Sequence, residues 1–237
     1  MVRYRQTFIG AAWNVLQPLS LMVIFTLFFG VLGNFPSSGV PYPVFFLSGL
    51  VLWHFVNKVL GEGSSSILAN AALVNRVYFP RAHFVVAALL AALVDLCFGL
   101  VALVAVILLF GLVPDAGVLL LPLAILVLSA ATLGISFWLA ALNAAYRDVT
   151  VLLPFLLQLW FFSSPIVYPS SIIPEEFLVF YYANPAALAI DVARWGLTGT
   201  PAPPLAGWIL SSVATGIVLV SGYVFFRQRE PILADLL

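Results

Sequence analysis

The stretch Val15–Leu32, VLQPLSLMVIFTLFFGVL, carries no charged side chain, and its length approaches the roughly 20 apolar residues that a helix needs to cross a bilayer. Arg3 and Arg5 precede it, and five further apolar stretches follow in a chain of 237 residues that is 64% hydrophobic and 8% charged. A soluble domain devotes about a quarter of its residues to charge. With nine basic and nine acidic side chains and a mean hydropathy of +1.17, this chain reads as membrane-embedded. Backbone polar groups in lipid must be satisfied inside helices or closed barrels. The apolar runs are continuous and do not alternate with period two, which selects helices.

The pattern predicts an all-α polytopic membrane protein with six spans, at about 14–33, 43–62, 84–110, 117–142, 150–167 and 205–226. The first run is too long for a signal peptide and lacks an Ala-x-Ala-like end, so it is expected to remain as the first span. Six crossings place both termini on one side. With that side cytoplasmic, Arg3, Arg5, Arg76, Arg81, Arg147, Arg227 and Arg229 all fall inside and Arg194 alone falls outside, the asymmetry that the positive-inside rule requires. No long soluble insertion interrupts the chain, so residues 1–237 are expected to form one membrane domain.

Three connections carry information. The inner segment 63–83, GSSSILANAALVNRVYFPRAH, holds an apolar piece too short to span and is stopped by Pro80, as a short surface helix would be. Ser64, Ser65 and Ser66 within it read as a polar turn or helix start. The outer segment from Ser163 to Pro204 is divided by Pro165, Pro169, Pro174, Pro185, Pro201 and Pro203. Its short apolar pieces fit helices that dip into or cap the outer leaflet, and a plain external loop with aromatic anchors is the alternative. Between spans four and five, Asn143 to Asp148 leaves room only for a tight inner turn.

The catalytic signals are missing. There is no Gly-rich nucleotide loop, no His cluster at metal spacing, and no base placed beside the serines. His54 and His83 read as interfacial side chains, lone glycines such as Gly99 and Gly134 as ordinary membrane-helix residues, and Cys97 as a small buried hydrophobe. Asp95 lies about half-way along span three with no charged residue expected at its depth, so it must be neutral, hydrogen-bonded or facing water. Lys58 and Glu62, four apart on one helix, read as a local pair. Trp160, Phe161, Phe162 and Tyr168 cluster toward the outer end of span five, where aromatics serve either as an interfacial belt or as a surface for sugar rings.

The chain resembles the transmembrane subunits of type 2 ABC exporters, in particular the permeases that export O-antigen, capsular or teichoic acid polysaccharides. The resemblance rests on Val2-Arg3-Tyr4-Arg5-Gln6-Thr7 with Gly10, Trp13 and Leu16-Gln17-Pro18, on Pro41-Tyr42-Pro43 and Ser48-Gly49-Leu50, and on NAALVNRVYFPR from Asn70 to Arg81. It continues through Asn143 with Tyr146-Arg147-Asp148 and ends in Ser164-Pro165-Ile166-Val167-Tyr168 with Asn184-Pro185. It implies an inner-membrane subunit that pairs with a second copy of itself and with two cytoplasmic nucleotide-binding subunits to move a lipid-linked glycan. No nucleic acid is involved, this chain holds no cofactor or metal, and ATP and Mg belong to the partner ATPase. By the same resemblance Asn70, Asn75, Arg76 and Arg81 couple to the ATPase, Arg3 and Arg5 lie on an interface helix shorter than is usual in the family, and the pieces after span five are re-entrant. Trp160, Phe161, Phe162 and Tyr168 would line the path. An exporter of a drug or small lipid, or a structural membrane subunit without transport, is the alternative.

Overall fold

The computed structural model describes residues 13–71, 80–146 and 148–231. Their regular structure is helical. Helix α1, Trp13–Phe25, widens into π-type turns over Thr26–Leu32. It is followed by α2, Tyr42–Ala69, α3, Ala82–Leu109, and α4, Leu121–Ala145, which is entered through a 3-10 turn at Ala116–Leu120. Then come α5, Val149–Phe162, the short α6, Glu175–Tyr181, α7, Pro185–Thr198, and α8, Leu205–Arg229.

Four of these elements are long and apolar enough to cross a membrane: α2, α3, α4 with its leading turn, and α8. The expectation of six spans is corrected to that extent, because the first and fifth runs form shorter apolar helices, Leu16–Leu32 and Val149–Phe162. At 1.5 Å per residue α5 rises only about 21 Å against a hydrocarbon thickness of about 30 Å. It stops where Ser163 folds its hydroxyl back onto the Leu159 carbonyl at 2.9 Å and Pro165 follows. The pieces beyond it are short helices, and α7 is the best defined of them. Asn184 caps its start by accepting from the Ala186 N–H at 3.0 Å, Pro185 occupies the first turn, and Gly199 ends it at φ 71° in the left-handed region.

Helix α2 is the axis of the bundle: 78% of its most apolar window is buried, against 28% for α3 and 22% for α8. It packs along α3 and α4, while α4 packs along α8. Glycine makes the α4–α8 contact possible. A Cβ on Gly134 would stand 2.6 Å from the Leu219 Cα, and Gly222 lies against the Gly134 carbonyl. Gly134 is therefore a specific packing residue and not an incidental membrane glycine, and Gly99, which meets Val51 of α2, is another.

Other expectations are also corrected. Ser64, Ser65 and Ser66 form no turn: α2 runs through them, their hydroxyls donating to the Gly61 and Gly63 carbonyls at 2.8–3.0 Å. That back-bonding lets serine sit inside a membrane helix. Cys97 is exposed on α3 and not buried. His83 does lie at a helix start, its Nδ1 2.9 Å from the Pro80 carbonyl, but His54 is well inside α2.

Candidate functional site

Helices α2 and α5 diverge to leave a cleft of about 480 Å³. From α2 it is lined by Trp53, Asn57, Gly61, Ser64 and Ser65, whose three- and four-residue spacing puts them on one helix face. From α5 come Thr150, Leu153, Pro154, Leu157, Gln158 and Phe161. The cleft is graded: hydroxyl groups at one end, the amides of Asn57 and Gln158 in the middle, and aromatic rings at the other end. Only Leu153 and Leu157 of α5 are buried, and Val151, Phe155 and Leu159 are exposed.

Of the four predicted aromatics only Phe161 lines the cleft, and Trp160, Phe162 and Tyr168 stand beside its ring end. Trp160 stands edge-on to Trp53 at 5.9 Å, and its Nε1–H donates to the Asn184 Oδ1 at 3.0 Å. Phe161 stands edge-on to Trp53 at 5.7 Å and to the exposed Phe162 at 5.1 Å. The Tyr168 hydroxyl donates to the Phe162 carbonyl at 3.0 Å and lies 3.3 Å from that of Tyr181. The hydrogen bond of Trp160 fixes the plane of its ring, and those of Tyr168 fix the position of its hydroxyl. Trp53 was missed in the sequence reading, although its four-residue spacing to Asn57, Gly61 and Ser65 was a usable signal.

Above this surface a buried polar node ties α7 to the rest. Arg194, 2% exposed, donates from Nη2 to the carbonyls of Phe45 and Ile166 at 3.1 and 3.2 Å and from Nε to Ser48 at 3.3 Å. Its guanidinium also sits 3.6 Å over the Phe45 ring and 3.7 Å from the Asp191 carboxylate, which accepts from the Tyr182 hydroxyl at 2.9 Å. Burial pushes the Asp191 pKa up against the opposing pull of Arg194. Burial also lowers that of Arg194 to about 10, so it stays charged at neutral pH. The outside arginine of the charge count is therefore an internal clamp and not a loop charge.

The opposite end is held by neutral hydrogen bonds and a half-buried contact between Arg81 and Glu230. Asn143 donates to the Ser64 carbonyl at 3.0 Å and accepts from the Thr150 hydroxyl at 2.8 Å, joining α2, α4 and α5. Asn70 caps α2, its side chain donating to the Ser66 carbonyl at 2.7 Å. Arg81 binds Glu230 at the end of α8, through its backbone N–H at 3.0 Å and through its guanidinium to the Glu230 carbonyl. Asn75, Arg76, Arg3 and Arg5 lie outside the described residues.

Asp95 has the partner that the sequence reading denied it, since Lys58 forms an ion pair with it across the α2–α3 contact. The two helices run antiparallel, with Lys58 eleven residues before the end of α2 and Asp95 thirteen residues after the start of α3. Their depths therefore coincide, and the pairing Lys58 makes is not only the local one expected with Glu62. Among the described residues no group of three or more His, Cys, Asp or Glu is placed to hold a metal ion.

A family model described as ABC-2 type transporter matches residues 1–198. The O-antigen export system permease protein RfbA of Myxococcus xanthus is 31% identical over 176 residues, 73% of this chain and 66% of that protein. A protein of the same description from Klebsiella pneumoniae is 26% identical over 190 residues, 80% of this chain and 73% of the relative. The polysialic acid transport protein KpsM of Escherichia coli is 24% identical over 236 residues, 96% of this chain and 89% of the relative.

Proposed function

The chain is a multi-pass inner-membrane member of the ABC-2 type transporter family, and from that premise we propose that it is the permease subunit of an ATP-driven exporter of lipid-linked polysaccharide. The observation that carries this reading is the open, graded cleft beside a sparsely packed α5. A flat aromatic surface gives strong contact without demanding one chemical pattern, and the hydroxyls and amides suit a chain of sugar units. Relatives whose names give them as O-antigen export system permease proteins support a polysaccharide as the cargo.

In this reading residues 1–237 form one membrane domain with cytoplasmic termini. Leu16–Leu32 and α5 serve as the two remaining, shorter spans. Helices α6 and α7 are re-entrant at the outer side. A second copy covers the exposed face of α5 and completes the path lined by Trp160, Phe161, Phe162 and Tyr168. The segment from Ser64 to Arg81, with Asn70, Asn75, Arg76 and Arg81, receives the movement of two partner ATPase subunits, which bind ATP and Mg, and Arg3 and Arg5 belong to an interface helix. No side chain of this chain performs covalent chemistry.

The test is a deletion in the native host, with polymer detected separately at the cell surface and in the cytoplasm. Polymer should accumulate inside and vanish from the surface; normal surface polymer would refute the reading. Orientation is tested in a Cys97→Ala background, needed because Cys97 is exposed. A cysteine near Val40, at the exposed Ser38, should label from outside and one near Asn70 should not.

A further inference from the structure

Resting on the export reading, we infer that the α2–α5 cleft selects an uncharged, hydroxyl-rich glycan and rejects polyanionic polymers. Every described residue lining it is neutral. Its hydroxyl groups have their hydrogens already committed: Ser64 and Ser65 donate to the Gly61 carbonyl at 3.0 and 2.9 Å, and Thr150 donates to Asn143 at 2.8 Å. What these three oxygens have left for a passing ligand is lone pairs. The side-chain N–H groups that line it are the amides of Asn57 and Gln158 and the indole of Trp53, away from the hydroxyl end.

An acceptor-rich wall complements the hydroxyl hydrogens of a sugar and repels a carboxylate or phosphate oxygen, which needs donors. The lysine nearest along α2, Lys58, is held by Asp95 on the α3 side and does not line the cleft. An anionic sugar entering here would lose water with no cation among the described lining residues to replace it, and that cost recurs at each charged unit. A neutral sugar exchanges its water for Ser, Thr, Asn and Gln partners, while Trp53 and Phe161 offer its C–H faces a ring surface.

The experiment reconstitutes the permease with its ATPase in proteoliposomes and supplies two oligosaccharides on the same undecaprenyl diphosphate carrier, so that the carrier's charge cancels. One is a neutral mannose polymer and the other a polymer of a carboxylated sugar. Lumenal polymer and polymer-stimulated ATP hydrolysis are both measured. The neutral polymer should be moved at least about tenfold faster, the factor that about 1.4 kcal/mol of discrimination gives. Gln158→Lys should narrow the gap by admitting the anionic polymer, and Asn57→Lys is the second variant; both residues are exposed, so neither change disturbs the core. Equal transport of the two polymers by the wild type, or preference for the anionic one, overturns the neutral-cargo inference and leaves the export reading standing. Transport of neither, with a small lipid moved instead, overturns the export reading and this inference with it.

Discussion

Helices α2 and α5 face each other across one cleft and are built from similar apolar residues, yet they live in opposite environments. Of the four long helices α2 is the least apolar and by far the most buried, while in the strongly apolar α5 only Leu153 and Leu157 are buried. In a soluble protein the ranking would be reversed. Lipid is as apolar as a leucine side chain, so hydrophobicity places a helix in the bilayer without deciding what it packs against. Close packing, small residues and internal hydrogen bonds decide that. Helix α2 buries small and hydrogen-bonded residues, Ser48, Gly63, Ser64 and Ser66, whereas the residues α5 buries are two leucines.

The sharpest way to break the contrast is at the clamp that holds the start of α2. Arg194→Ala leaves Asp191 buried without its cation and the Ile166 carbonyl without its side-chain donor. Removing one partner of such a pair costs about 3–5 kcal/mol, so membrane yield and thermal unfolding in detergent should both fall severely. A variant that assembles with unchanged stability would show that α2 is held by packing alone. Gly134→Leu should come next. Side-chain atoms forced against the Leu219 backbone have to part α4 from α8, an overpacking cost of about 1–3 kcal/mol to be read as a lowered melting temperature with export reduced in proportion.

On the α5 side the order of effects should change, with function moving more than stability. Leucine at Trp160, Phe161, Phe162 or Tyr168 keeps apolar bulk but removes the ring plane. We expect at least one of these changes to cut polymer export while the permease stays inserted and bound to its ATPase. Trp160→Leu is the most costly for the fold, since it also strips the hydrogen bond from Asn184. Export left normal by all four single changes and by their correctly assembled combination returns these residues to an interfacial belt. The smallest effect is expected at Val151, 78% exposed. Its replacement by alanine should shift the stability of the isolated subunit by less than about 0.5 kcal/mol, and a clear loss measured only at concentrations where copies associate would locate the second copy on this face.

The helical runs were legible because an uninterrupted apolar stretch has few other uses, and α3 was expected at 84–110 and found at Ala82–Leu109. Length misled where an apolar run continued past its helix: the expected span 150–167 included Ser163 to Val167, which leave α5, and Ser164 to Val167 pack as a buried loop against Arg194 and Tyr42. Pairings between helices were beyond the reach of a one-dimensional reading. Asp95 looked alone because Lys58 lies on another helix running the opposite way. Arg194 counted as an external charge because nothing local in PAALAIDVARWGLT announces that α7 folds inward onto Phe45. The aromatic cluster was legible on α5, but its partner ring Trp53 and the polar row beside it belong to α2 and emerged only when the two helices were set side by side.

The Asn143 bridge makes the bundle mechanically lopsided. At the end near Tyr42, displacing α2 means tearing several contacts from a buried cation. At the end near Thr150, swinging α5 away from α4 requires the exchange of one neutral hydrogen bond, worth about 1 kcal/mol and replaceable by water. In the export reading, load would make the protein yield at its compliant end and pivot about its stiff one. A push delivered beside Asn143 becomes a wedge-shaped opening that is widest among the hydroxyls and narrowest at the rings.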